Sequence, residues 1–306
     1  LLSTNVSIEQ KITLPEFEAA GVEVYVKRDD LIHPFISGNK WRKLKYNYEA
    51  YKIGQFKGIV TFGGAYSNHI VATAAFCAQA GISCIGIIRG EAPLKPNHVL
   101  ILAQLWGMDI HYLSRSVFND ENARQELCPE NWMVVPEGGN NADGVKGCAD
   151  LIAELQFDYQ HIFCASGTGC TISGLVNGVM ASKLNTICHS IPVLKQGAFI
   201  NEVVARYHGN TALLKVHPEF HFGGYGKAGK EVFEFIERFA TQTGILTDPV
   251  YTAKLFLGLS DLVQKGHFKP GERILAIHTG GLTGLLSEKM LTDVQNIIIK
   301  KKPSSL

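Results

Sequence analysis

The sequence predicts an α/β protein built on parallel sheets, and three observations carry that prediction. Short β-branched runs recur along the chain, each followed by a glycine-rich or small polar turn and then a segment with helical period. The runs are almost continuously apolar, as parallel strands covered by helices on both faces must be. At 306 residues the chain is also long enough for two lobes.

The first such strand is "GIVTF" (58–62), which leads through "GGAYSNH" to the helix-like "IVATAAFCAQAG". "ISCIGIIRG" (82–90) leads to "NHVLILAQLWG", "DIHYLS" (109–114) reads as a strand, and "WMVVPEGG" (132–139) precedes "GVKGCADLIAELQ". "HIFCASGTGC" (161–170) precedes "TISGLVNGVMA", "IPVLK" (191–195) precedes another helical segment, and "RILAIHTGG" (273–281) precedes "LTGLLSEKML". Ligands in such folds bind beyond the carboxyl ends of strands, so the strand-to-helix turns are where chemistry is expected.

Composition excludes several classes of function. A net charge of +1 provides no field for nucleic acid or an anionic membrane, and the tail Lys300, Lys301, Lys302 reads as a solvated terminus. No stretch reaches the ~18 apolar residues of a transmembrane helix. Seven scattered cysteines without a C-x-x-C pair read as buried, reduced thiols in a cytoplasmic protein, with no metal site. The first residues lack the basic and apolar regions of a signal peptide, which fits that expectation.

Three turns are candidates for ligand binding. In "SGTGCT" (166–171), small residues let backbone N–H groups converge on an anion at a helix start, with hydroxyls from Thr168 and Thr171. It is not a dinucleotide fingerprint, because Ile172 occupies the third glycine position. "GGYGKAGKE" (223–231) nearly makes a nucleotide P-loop, but Glu231 stands where Ser or Thr should hold magnesium. In "GGAYSNH", Ser67 or Asn68 caps the next helix, or Ser67, Asn68 and the backbone at His69 cradle a carboxylate.

The segment "SGNKWRKLKYNYEAYK" (37–52) carries a charge anomaly. Ser37 and Asn39 read as caps, yet Lys40, Arg42, Lys43 and Lys45 crowd the positive end of the helix, each unfavourable by ~0.3–1 kcal/mol. A solvated basic face is one account. The other is a ligand: a phosphate would neutralise one lysine and a Schiff base would tie up another. A lysine in a positive, desolvated site has a lowered pKa, which makes it a nucleophile and a base. With a separate phosphate turn in the chain, pyridoxal 5'-phosphate accounts for both.

"SGNKWRKL", "FGGAYSNH", "SGTGCT", "GGYGK" and "TDPVYTAK", in that order, resemble the 1-aminocyclopropane-1-carboxylate (ACC) deaminase and D-cysteine desulfhydrase family. These are pyridoxal-phosphate enzymes of the tryptophan-synthase β-chain superfamily, fold type II. The resemblance runs from about residue 10 to about 290 and is weakest over 185–220, which looks shortened. It implies two α/β lobes with the cofactor in the cleft between them. A small lobe (43–142) would be inserted in a large one (1–42 and 143–306). It also implies a homodimer and a small amino-acid substrate.

Residue by residue, the resemblance implies that Lys40 bears the cofactor as a Schiff base and shuttles the Cα proton. Lys43 would balance the phosphate beside the backbone of Gly167, Thr168, Gly169, Cys170 and Thr171. Asn68 would bond the cofactor's phenolic oxygen. Ser67, with Asn68 and the backbone around His69, would take the substrate carboxylate, and Tyr225 and Tyr251 would flank the substrate. Where the deaminases carry Glu after "DPVY" and Leu in "HLGG", this chain has Thr252 and Thr279, as desulfhydrases do. Neutral hydroxyls near the pyridine nitrogen would make a weaker electron sink, suited to β-elimination from D-cysteine. The alternatives are ACC deamination, another lyase or racemase of this fold, and a non-catalytic cofactor- or amino-acid-binding protein.

Overall fold

Strand pairing shows how the alternating elements divide into two sheets. The computed structural model describes residues 2–36, 38–287, 290–293 and 295; Ser37 and Lys300 to Lys302 lie outside the described residues. The chain begins with β1 (Glu9–Ile12), α1 (Pro15–Ala20), β2 (Glu23–Lys27) and α2 (Asn39–Gly54). Next come β3 (Gly58–Gly64), α3 (Asn68–Ala80), β4 (Ser83–Arg89), α4 (His98–Leu105) and β5 (Asp109–Leu113), then α5 (Arg115–Phe118), α6 (Glu121–Glu126) and β6 (Met133–Val135). These four strands make one all-parallel sheet in the order β5-β4-β3-β6.

The remainder comprises α7 (Ala142–Ala153), β7 (His161–Ser166), α8 (Cys170–Ala181), β8 (Ile187–Pro192), α9 (Phe199–Arg206) and β9 (Leu214–Val216). It ends with α10 (Lys230–Thr243), α11 (Thr252–Gln264) and β10 (Arg273–Ile277). The second sheet runs β1-β2-β10-β7-β8-β9 and is parallel except for its edge, where β1 lies antiparallel to β2. That edge departs from the expected parallel pattern. β1 is a short strand of polar residues, Glu9, Gln10 and Lys11 among them, that needs burial on one side only. The strand expected at "IPVLK" lies earlier, because its ladder with β7 ends at Ser166 against Pro192.

Both faces of the large sheet are covered. Val24, Val26, Phe163 and Ala276 pack with Phe239 and Phe256 on one side. Their strand neighbours Tyr25, Ile162, Cys164 and Leu275 pack with Leu151 and Leu175 on the other. The period of two along each strand sends successive side chains to opposite cores.

Helix α2 joins the two lobes. Its Trp41 and Leu44 enter the core under the four-stranded sheet, with Ile59, Phe76 and Val135. Its Arg42, 2 % exposed, donates to Asp29 at 2.6 and 2.8 Å and to Glu154 at 2.9 and 2.8 Å. At its start Gly38 has φ +58°, and a Cβ there would lie 1.9 Å from the Thr279 carbonyl oxygen, so only glycine allows the approach. Asn39 is the first helical residue and does not act as a cap; its Nδ2 reaches across to donate to Thr171 Oγ1 at 2.9 Å. Among the described residues no helix is long and apolar enough to cross a membrane.

Breaking a buried ion pair by removing one partner costs ~3–5 kcal/mol when the other charge is left alone. Asp29→Ala leaves Arg42 with Glu154 and is expected to lower the urea-unfolding free energy by less than that, whereas Asp29→Ala with Glu154→Ala strands Arg42 and should reach it; equal losses in the two variants would show that Glu154 does not compensate.

Candidate active site

Four chain reversals bring their polar residues into one cleft of about 630 Å³ between the sheets. Helix α2 supplies Lys40 and Lys43; the β3–α3 turn supplies Ser67, Asn68 and His69. The β7–α8 turn supplies Gly167, Thr168, Gly169 and Thr171, and the segment after β10 supplies Thr279. Tyr225, from the loop before α10, and Tyr251, at the start of α11, close the wall, with ring centroids 6.1 Å apart in an edge-to-face arrangement.

The four bases of α2 divide into two kinds. Arg42 faces Asp29 and Glu154, and Lys45 donates to Asp150 at 2.6 Å, so carboxylates of the protein itself neutralise both. The ligand account therefore has only Lys40 and Lys43 left to explain. Lys43 Nζ donates to the Gly138 carbonyl at 2.9 Å, and Lys40 has no carboxylate partner among the described residues. Burial first, and then the charge of Lys43, lower the Lys40 ammonium to about 7.

The β7–α8 turn is shaped for an anion. Gly169, at φ +86°, starts α8 with no side-chain cap, and the N–H groups of Cys170, Thr171 and Ile172 find no acceptor among the described residues. A Cβ on Gly169 would meet Val203 at 2.9 Å, and one on Gly167 would meet the Tyr251 ring at 3.3 Å. Cys170 itself is buried behind the turn, where its thiol donates to the Gly139 carbonyl at 3.3 Å. Only its backbone is offered to a ligand.

Ser67 caps α3, accepting from the N–H groups of His69 and Ile70 at 3.2 and 3.4 Å while still lining the cleft. Asn68 Oδ1 accepts from the Thr283 hydroxyl, leaving its Nδ2 as a donor. The His69 ring is 1 % exposed. Thr61 Oγ1 gives its proton to the Val135 carbonyl, so His69 Nε2 must donate to Thr61 and Nδ1 carries the lone pair. Burial, then the charges of Lys40 and Lys43, hold this imidazole well below its usual pKa, and it is neutral.

Thr252 does not reach the cleft. It is fully buried; its hydroxyl donates to Asp248 Oδ1 at 2.8 Å and accepts from the Asp248 N–H at 2.7 Å, a reciprocal clasp at the start of α11. Of the two threonines expected at the cofactor ring, only Thr279 lines the wall. The near P-loop is also accounted for: Lys230 is exposed and pairs with Glu234 one turn on, while Tyr225 belongs to the cleft.

Sequence reasoning missed Arg89, Glu137 and Arg206, which also line the cleft. Arg89 ends β4, where the strand-end rule would have found it; Arg206, at the end of α9, has no comparable signal.

The profile of the family described as "Pyridoxal-phosphate dependent enzyme" matches residues 4–280. The chain belongs to that family. A Pyrococcus horikoshii protein, provisionally named 1-aminocyclopropane-1-carboxylate deaminase, is 32 % identical over 283 residues, 86 % of each chain. The D-cysteine desulfhydrase of Serratia proteamaculans is 29 % identical over 294 residues, 87 % of this chain and 89 % of that one. The crystal structure of an ACC deaminase homologue superposes with a TM-score of 0.80 at 29 % identity, covering 94 % of this chain and 93 % of the other.

Pyridoxal phosphate fits the residues present: an unpaired lysine of low pKa stands in the same cleft as an uncapped helix start with bare N–H groups. In the apo protein, covalent attachment of pyridoxal phosphate is expected to accelerate as pH rises through about 7, where Lys40 loses its proton, and to level off above. Lys43→Met removes a positive neighbour and should move that midpoint upward; an unmoved midpoint would detach Lys43 from the effect. Gly169→Val, which meets Val203 and a left-handed φ, should weaken equilibrium binding of the cofactor at least tenfold by fluorescence titration.

Proposed function

We propose that this pyridoxal-phosphate enzyme is a lyase of β-substituted D-amino acids, with D-cysteine as the preferred substrate and pyruvate, ammonia and sulfide as products. The observation that carries the reading is Lys40, an unpaired amine lowered to about 7 at the cleft wall, where it can both bear an aldehyde and move a proton. Its company in the cleft, a serine-capped helix start and two tyrosines, supports an amino acid as the molecule handled.

Each group then has a task. The start of α8 would hold the phosphate through the N–H groups of 170–172, with Lys43 adding positive charge. Asn68, through Nδ2, would be a donor to the cofactor, and Thr279 would offer it a neutral hydroxyl. Bound pyridoxal phosphate supplies the electron sink for the bonds at the substrate's Cα. Ser67 and the first N–H groups of α3 hold the substrate carboxylate, fixing which Cα bond points at Lys40. Lys40 takes the Cα proton. Burial raises the Tyr251 phenol well above its ordinary range, so it stays protonated and can donate to a departing group next to Tyr225. His69, neutral and pinned by Thr61, adds no competing charge.

The same reading extends to organisation. We infer a homodimer, which sedimentation of the holoenzyme would test, and residues 43–142 as the smaller of two domains. We place the protein in a reducing, cytoplasmic setting, a reading supported by seven free cysteines. ACC is the alternative substrate, favoured by the names of relatives rather than by a group in the cleft.

A panel of D- and L-amino acids plus ACC, assayed for keto acid and ammonia, tests the reading. D-Cysteine or β-chloro-D-alanine should exceed ACC in kcat/KM by at least tenfold, equivalent to ~1.4 kcal/mol of transition-state stabilisation. A parent enzyme that prefers ACC, or releases no keto acid from any compound, would sink it. Thr279→Leu is the informative variant and should cost D-cysteine activity. Thr252→Glu would instead set a second carboxylate against Asp248 and disturb the start of α11.

A further inference from the structure

We propose that Lys254 is the positioning residue of the tyrosine pair, its buried ammonium clamping the loop that carries Tyr225 to the helix that carries Tyr251. This rests on the reading above that the two tyrosines face the substrate. Lys254 lies one turn after Tyr251 on α11 and is fully buried. Its Nζ donates to two backbone carbonyls, His221 at 2.9 Å and Gly224 at 2.8 Å. Gly224 is the residue before Tyr225.

The loop needs such a clamp. Phe222, Gly223, Gly224 and Gly226 all have positive φ, at 45°, 90°, 102° and 66°. Glycine adopts that region freely, but a phenylalanine there is strained and persists only where surrounding contacts over-determine it. The two carbonyls that Lys254 holds bracket Phe222 and Gly223. Local bonds alone make a small ring: Gly223 N donates to His221 Nδ1 at 2.9 Å and Gly224 N to the His221 carbonyl at 3.0 Å. Among the described residues its hydrogen bonds to α11 run through Lys254, while Phe222 packs against the apolar residues of that helix and Tyr225 meets Tyr251 edge to face. A cation suits the position because two carbonyl dipoles converge on it, and one ammonium can satisfy both.

Burial lowers the ammonium to about 8, against a smaller opposing pull from Asp248. The charged and titratable groups around it are Asp248 at the start of α11, His221 within the loop, Tyr225 and Tyr251, and Lys195 and Lys227, whose stems pack on Gly224 and Gly223. Because burial lowers the pKa, rising pH takes the charge off Lys254 without opposing its burial, and the neutral amine keeps two N–H donors for the two carbonyls. The clamp therefore rests on the geometry of the two bonds and not on the charge.

The test uses the holoenzyme. Amide hydrogen exchange of residues 222–226 should show protection in the parent that falls at least tenfold in Lys254→Met, which keeps the length of the stem. Turnover of the amino-acid substrate should fall roughly ten- to a hundredfold in kcat, with cofactor affinity unchanged. Unchanged exchange in the variant, or loosened exchange with parental kcat, overturns the proposal. If Lys254→Met does not fold, the shorter Lys254→Gln is read by the same two measurements, and unchanged exchange or parental kcat overturns it. Failure of the functional reading shows differently, as a parent that turns over no amino acid while the loop still loosens in the variant.

Discussion

The arrangement depends first on a buried ionic network that fixes how α2 is rotated. Arg42 is held between Asp29 and Glu154; Asp29 also accepts from the Ser7 hydroxyl at 2.6 Å, and Lys27 donates to the Ser7 carbonyl at 2.7 Å. At about 100° per residue, Arg42 stands about 200° round the helix from Lys40. Anchoring Arg42 in the large lobe therefore turns Lys40 and Lys43 toward the cleft and leaves Trp41 and Leu44 to the small-lobe core. Such a network need not add stability, since desolvation offsets most of its attraction. It specifies one rotation, and the chemistry of the cleft requires that rotation.

What was legible in the sequence follows the range of the interactions concerned. The strand-to-helix turns at 63–69 and 166–171 are local patterns of small and capping residues, and both line the cleft. The division of the four bases was not legible, because Arg42 and Lys45 find Asp29, Glu154 and Asp150 at separations of 13, 112 and 105 residues. Thr252 is a different case. Its clasp with Asp248 is local, spanning four residues, but it is no capping box: Tyr251 precedes the helix without a side-chain cap, so no spacing rule marked the pair. The resemblance to relatives drew attention to the type of residue at 252 and away from what a threonine at that spacing from an aspartate does.

β1 and β9 went unread for another reason. β1 is charged and β9 has three residues, so neither carries a period long enough to register. β2 did carry one: "VEVYVK" alternates, and its placement between β1 and β10 brings Asp29 to the network.

The charge anomaly of α2 resolves once the helix starts are compared. Ser67 caps α3, so part of that terminus is satisfied by the chain itself, through bonds of 3.2 and 3.4 Å that a stronger acceptor could replace. α2 and α8 both begin at a left-handed glycine with no side-chain cap, and Asn39 to Thr171 ties the two starts together. Two positive helix ends, with Lys40 and Lys43 added to one of them, therefore face a common space. Without a ligand that is a repulsive arrangement, and part of its cost is visible in the lowered pKa of Lys40. A dianionic phosphate beside α8 would offset the repulsion, and a Schiff base at Lys40 would take up its amine. On the proposed reading one cofactor of this chemistry answers both helix ends, and Lys40 and Lys43 then stand where helix energetics alone would disfavour them.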